Sequence, residues 1–239
     1  MPLNEFGQTV GDPTDWTPGP ELGPVALTGR TCRLEPLGDE HVAGLYDALC
    51  GGSPDSLWTY MSGGPFADRD DFAGYLHRLL ATPATIPLAI LLPDGTPAGV
   101  ATWLRVEHAM GTAEVGHITF GAAIQRTTAA TEAMCLMAAH AFDVVGVRRY
   151  EWKCDSLNEP SRRAAHRLGF TFEGIFRQAV HYKGRNRDTA WFAITDTDWP
   201  HLRASYDAWL APTNFDDRGR QRSPLRTGSP SRDVPLTDQ

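Results

Sequence analysis

Gln125-Arg126-Thr127-Thr128-Ala129-Ala130-Thr131 lies between an apolar strand pattern and a long helical pattern, and it is the stretch of this 239-residue chain best suited to holding an anion. A helix start leaves backbone N–H groups without partners and carries the positive end of the helix dipole, so a phosphate docked there needs no specialised side chain. Arg126 and the hydroxyls of Thr127, Thr128 and Thr131 add donors. By itself the stretch also reads as the Thr-capped start of an amphipathic core helix. A second cluster runs Asn158-Glu159-Pro160-Ser161-Arg162-Arg163-Ala164-Ala165-His166-Arg167-Leu168-Gly169-Phe170, then Thr171-Phe172-Glu173-Gly174. Asn158 suits a helix cap, Pro160 is tolerated in a first turn, and Gly169 supplies a left-handed C-terminal cap before Phe170 packs back.

In this order the two clusters resemble those of the GNAT acetyltransferases. IQRTTAATEA is similar to the superfamily's Q/R-x-x-G-x-G/A loop, with Gln125 as first member and Ala130 as last. The second cluster resembles its N-x-x-S…lGF…eG signature, in particular that of the RimJ/RimL-type N-terminal acetyltransferases of ribosomal proteins. Two positions depart from the pattern. Thr128 stands where the loop has its central glycine, and Ala165 stands where the family at large has a tyrosine four residues before the glycine of lGF. The resemblance runs from roughly Leu27 to Leu210.

The resemblance implies an α/β (α+β) GNAT fold, a mixed and mostly antiparallel central sheet flanked by helices. In it two adjacent parallel strands, Thr112 to Phe120 and Arg148 to Cys154, splay to admit the pantetheine arm of acetyl-CoA as cosubstrate. It implies an N-acetyltransferase acting on a primary amine of a small molecule or a protein N-terminus. A non-catalytic GNAT-like module that binds acyl-CoA or a partner is the alternative, motivated by Thr128 and Ala165. Acetyl transfer from a thioester needs a base for the amine, donors for the carbonyl oxygen and an acid for the leaving thiolate. Since an alkylammonium dominates at neutral pH, a carboxylate near it, directly or through water, takes its proton. Glu114 is expected in that role because members of this branch are similar in carrying a glutamate there; the other reading is a salt-bridged strand glutamate. A backbone N–H near Thr119 or Phe120 is expected at the carbonyl oxygen.

Ser161 resembles the serine that the RimL-type branch uses toward the thiolate, and otherwise it is an ordinary first-turn serine. Asn158 is expected to pair with the pantetheine amides as well as to cap its helix. Strict alternation puts His117 on the opposite face from Glu114 unless a bulge intervenes, so it is kept as a pocket residue with Trp103 and Tyr182. No thiol is expected beside either motif, which points to direct attack in a ternary complex without a covalent intermediate.

Composition bounds the rest. Lys+Arg 22 against Asp+Glu 29 gives a net charge of -7, which disfavours a nucleic-acid surface and favours encounter with cationic substrates. No stretch approaches the roughly 18 apolar residues of a membrane span and no signal-peptide pattern opens the chain, so a cytoplasmic address without membrane contact is expected. Cys32, Cys50, Cys135 and Cys154 are scattered singly and read as buried thiols, and no metal site is expected. A homodimer is expected from the two tails and from the apolar edge of this branch.

These residues must be positioned by a chain that divides into an extended arm (1–24), one acetyltransferase domain (25–210) and a mobile tail (211–239), with Phe6 and Trp16 as anchors for the arm. Within the domain Leu27 to Glu35 alternates as a first strand, and Asp39 begins a helix with Val42, Leu45, Tyr46 and Leu49 inward. Trp58, Tyr60 and Phe66 read as a hydrophobic cluster in preference to a pocket wall. Asp68 or Asp70 starts another helix, and Pro93-Asp94-Gly95-Thr96 turns a hairpin. The crossover helix from Thr127 to Val145 has the length a parallel strand pair requires. A hairpin around Lys183-Gly184-Arg185-Asn186 and a helix from Pro200 follow.

Overall fold

In a computed structural model that describes residues 1–228, eight strands form one sheet: β1 (Leu27–Thr28), β2 (Arg33–Pro36), β3 (Thr85–Leu91), β4 (Pro97–Glu107), β5 (Thr112–Phe120), β6 (Arg149–Asp155), β7 (Thr171–Tyr182) and β8 (Arg185–Thr195). Their order is β1-β2-β3-β4-β5-β6-β8-β7, and every neighbouring pair is antiparallel except β5 with β6. A parallel pair needs a crossover, which α3 (Thr128–Ala139) makes, continuing as a wider helical segment over His140–Val145. Thr127 caps α3 by accepting the Ala130 N–H, and Gly146 ends the segment at φ 74, a left-handed angle that glycine adopts without a Cβ clash.

Alternation along the strands gives the sheet two apolar faces. On one, Ala133, Met134, Met137 and Ala141 pack over Trp103, Val115, Tyr150 and Trp152, joined by α4 (Glu159–Arg167) and α5 (Trp199–Leu210). On the other, α1 (Val42–Tyr46) and α2 (Arg69–Leu80) cover Ala89, Leu91 and Val100 with Leu45, Phe72 and Leu76. Asp68 caps α2 by accepting the Asp71 N–H. Asp39 instead lies inside a first turn capped by Gly38 and holds His77 at 2.7 Å. Trp58 is in the expected cluster, edge-on to Phe66 and Phe72. Among the described residues no helix is long and apolar enough to cross a membrane.

Three expectations are corrected. The first strand is two short ones, because the chain reverses at Gly29 to Cys32 around the buried Glu132 of α3. That carboxylate accepts the Arg30 N–H at 2.9 Å, the Thr31 N–H at 2.6 Å and the Thr31 hydroxyl at 2.5 Å. In the arm only Trp16 is an anchor; its Nε1 donates to Gly146 O at 2.9 Å, while Phe6 is exposed. Residues 211–228, expected as mobile tail, fold back onto the domain. Phe215 pairs with Gln221, Asn214 Nδ2 donates to Trp209 O, and Thr227 Oγ1 donates to Arg167 O at 3.1 Å. Few apolar residues suffice there because the polar side chains satisfy the backbone at the ends of α4 and α5. Residues 229–239, the rest of that tail, lie outside the described part.

Candidate active site

β5 and β6 pair only from Thr112↔Arg149 to Val115↔Trp152. Beyond that point β5 stays with β4, β6 stays with β8, and the sheet opens into a wedge. Two local features line the opening. The β4–β5 register shifts between Val100↔Thr119 and Thr102↔Gly116, and His117 sits in this bulge at φ 47. At the end of β5 the Gly121 N–H bonds to Ala98 O at 2.8 Å, so alternation turns the Phe120 N–H toward the opened side and the Thr119 N–H toward β4. Of the two amides expected at a carbonyl oxygen, Phe120 is therefore the one facing the wedge.

The loop from Gly121 to Thr127 leads from this wedge to the start of α3. Gln125 Nε2 bonds to Phe120 O at 2.8 Å, tying the first residue of the motif to the strand end. Arg126 takes the positive φ of the loop, 61°, and is exposed with Gln125 and Thr127. Thr128 is the first residue of α3 with helical backbone, so a threonine in place of the family glycine costs no strain. Ala129, Ala130 and Thr131 are buried, with Thr131 Oγ1 accepting from Arg167 at 3.0 Å. What the loop offers a phosphate is the N–H groups of the first turn, the twelve-residue helix behind them and the Arg126 guanidinium.

Glu114 lies on the opposite face from Trp103 and is buried. Its Oε2 is paired with Lys153 Nζ and lies 3.5 Å from Arg105 Nε. Oε1 lies over Gly116, 3.2 Å from where a Cβ would stand, with Leu104 Cδ2 at 2.9 Å from the same point, so a side chain there would displace both. Burial pushes the carboxyl above the ordinary carboxylate range, against the pull of Lys153 and Arg105. The His117 bulge overturns the alternation that separates it from Glu114. Its imidazole Nδ1 stands 3.5 Å from the Tyr75 hydroxyl of α2, on the Glu114 face. Burial, then the Arg187 cation, hold it below the usual histidine range, so it is neutral at neutral pH.

Across the wedge, Asn158 Oδ1 caps α4 by accepting the Ser161 N–H at 3.2 Å, which leaves its Nδ2 free of that cap. Ser161 Oγ accepts the Trp152 indole N–H at 3.0 Å. Cys154 lies beside it, which corrects the expectation that no thiol lies beside the motifs: strand register brings Cys154 under the first turn of α4. Burial raises that thiol, so it stays protonated and is a poor nucleophile. Ala165 is fully buried against the sheet, in a core with no room for a tyrosine. Trp103 is also corrected: it is 0% exposed on the α3 face, its Nε1 donating to Tyr150 at 3.1 Å, and no substrate reaches it.

Of the other wall the sequence reading has only Tyr182. Past the end of β6 the β7–β8 hairpin continues alone and arches to the loop after α1, where Lys183 Nζ donates to Trp58 O at 2.7 Å. Tyr182, in this arch, donates its hydroxyl to the buried Asp155 at 2.9 Å. Arg187 stands in the same hairpin, its guanidinium 5.9 Å from the centroid of the Tyr182 ring. Tyr75, Lys153 and Arg187 carry no motif in the sequence; long-range pairing alone brings them beside Glu114 and His117.

Residues 32–171 match the Acetyltransferase (GNAT) domain family. A GCN5-related N-acetyltransferase from Brucella melitensis is 43% identical, with a TM-score of 0.85 over 88% of this chain and 96% of that one. A probable acetyltransferase of the GNAT family from Chromobacterium violaceum is 35% identical, with a TM-score of 0.75 over 84% and 99% of the two chains. Mycobacterium smegmatis RimJ in complex with CoA-disulfide shares the fold at 22% identity, with a TM-score of 0.65 over 81% and 96%. No curated protein matches the chain. A wedge between two parallel strands, a helix start at its mouth and a family match over more than half of the sequence agree: the chain belongs to the GNAT acetyltransferases.

Proposed function

We propose that this GNAT protein transfers an acetyl group from acetyl-CoA to a primary amine of a small molecule or a protein N-terminus by direct attack in a ternary complex, as a member of the RimJ/RimL-type branch. The observation that carries the reading is the buried Glu114 carboxylate, held at Oε2 by Lys153 and with Oε1 over Gly116 where β5 and β6 part. Acetyl-CoA, when bound, supplies the reactive thioester. Gln125 to Thr131 hold its phosphates with backbone N–H groups and Arg126, and the Asn158 Nδ2 hydrogen-bonds the pantetheine arm. The Phe120 N–H polarises the thioester carbonyl, Glu114 removes the proton from the ammonium, and Ser161 gives its proton to the departing sulfur. The N-x-x-S pattern of Asn158 and Ser161, with Ala165 closing the usual tyrosine position, supports the RimJ/RimL-type assignment.

Titration calorimetry with coenzyme A tests the cosubstrate. Saturable binding is expected, with a stabilisation of about 2.7 kcal/mol at a hundredfold excess over the dissociation constant, read as a rise in melting temperature. Absence of both heat and shift removes coenzyme A from the reading. Heat without thiol release from acetyl-CoA across an amine panel makes the chain a binding module.

The reading includes a homodimer. Ile175, Phe176 and Val180 expose apolar surface on the edge strand β7, which suits a partner copy. Light scattering of the full-length protein is expected to give twice the chain mass, and a monomer mass at micromolar concentration removes the dimer.

A further inference from the structure

Most arginines near the site have a fixed partner. Arg149 meets Glu173 through both Nη atoms, at 2.9 and 2.5 Å, and Glu151 through Nε at 2.7 Å; Arg105 faces Glu114. Two differ. The Nε atoms of Arg162 and Arg187 are buried and make no hydrogen bond. Arg162 still donates through Nη1 to Ser156 O at 3.4 Å, whereas the Arg187 side chain has neither a hydrogen bond nor an ion pair among the described residues. The carboxylates around it are engaged: Asp155 accepts from the Tyr182 hydroxyl and the Leu157 N–H, Asp188 from the Gln178 N–H and Asn186, and Glu114 pairs with Lys153.

Its placement follows from register. Thr189 pairs with Asp155, the last residue of β6, and Arg187 lies two residues farther along β8, where β6 no longer covers it. It is on the same face of β8 as Trp191, which packs on Lys153 beside Glu114. Arg187 is also the cation that His117 senses. A guanidinium with an unmatched buried donor, in the cleft that holds the base, fits a planar two-oxygen anion.

We propose that the acceptor carries a carboxylate together with its amine, that it is a free amino acid or a similarly small amino carboxylate, and that Arg187 holds this carboxylate while the amine faces Glu114. The inference rests on the transferase reading above and narrows its acceptor.

Thiol release from acetyl-CoA is measured with a panel of amino acids, their α-amides, and short peptides that begin with the same residues, using the wild type, Arg187→Gln and Arg187→Lys. The wild type is expected to prefer the free acid over its amide by roughly 10- to 100-fold in kcat/KM, the worth of a charge-assisted pair. Arg187→Gln is expected to bring the acid down to the level of the amide, mainly through KM, and Arg187→Lys to keep part of the preference. Equal use of acid and amide by the wild type, better use of peptides, or an unchanged acid-to-amide ratio in Arg187→Gln overturns the proposal while leaving the transferase reading intact. No release with any acceptor, despite coenzyme A binding, overturns both. If Arg187→Gln does not fold, the wild-type comparison of acid with amide decides alone.

Discussion

Glu114→Gln is expected to lower kcat for acetyl transfer by about 10²- to 10⁴-fold, the range for loss of one general base. The amide keeps the size of the side chain, so packing changes little. Lys153, with 8% of its side chain exposed, loses its anion and keeps Glu151 at 3.7 Å, so a lower melting temperature accompanies the rate loss. The sign of the pH dependence follows from the charge of the active form. The base works as carboxylate and burial raises its pKa, so the wild-type rate falls as pH drops through a value above the usual carboxylate range. In Glu114→Gln that limb disappears, and the residual rate climbs with pH as more acceptor is free amine. His117 is shifted downward, toward the same pH region, so variants and not the profile separate the two groups. Retained activity in Glu114→Gln with loss in His117→Gln moves the role of base to the histidine. Gly116→Ala is a companion: its methyl group would stand 3.2 Å from Glu114 Oε1 and crowd Leu104, so turnover is expected to fall while coenzyme A affinity holds.

Glu132→Ala is expected to have the largest effect on stability. The carboxylate is buried and accepts two backbone N–H groups and a hydroxyl from the reversal between β1 and β2. Truncation leaves the part-buried Arg30 and Thr31 backbone donors without their acceptor, at about 1–3 kcal/mol for each of the two. With about 2–4 °C of melting temperature per kcal/mol in a domain of this size, a drop of roughly 4–24 °C is expected. Thermal unfolding by circular dichroism checks it. A change of a degree or less would mean that water replaces the carboxylate and that the reversal holds without it. Glu132→Gln, which keeps an acceptor oxygen, is expected to lose less.

The parts of the fold legible in the sequence are those fixed within one stretch of chain. The crossover helix shows through its Thr127 cap and its apolar spacing, both set between near neighbours in the chain. The parallel pair is legible as well, through the family resemblance, with a helix of the length its crossover needs. The loop proposed for the anion is read from its residue types and from its place before a helix start, whose backbone N–H groups any sequence carries.

What the sequence leaves open is which side chains meet across the sheet. Trp103 and Glu114 are neighbours on adjacent strands, yet alternation sends the indole into the α3 core and the carboxylate to the other face. His117 depends on one extra residue in β5 opposite β4; the bulge arises from pairing between strands, and neither strand alone reveals it. Lys153 and Arg187 reach Glu114 and His117 through the registers of β6 and β8, set by core packing that involves the whole domain. By itself the sequence thus determined the principal helices, the Thr127 and Asn158 caps and the family. The tertiary structure decided the faces, the bulge and the charge partners, because a shift of one residue in strand register exchanges buried and exposed sides while changing nothing in local propensity.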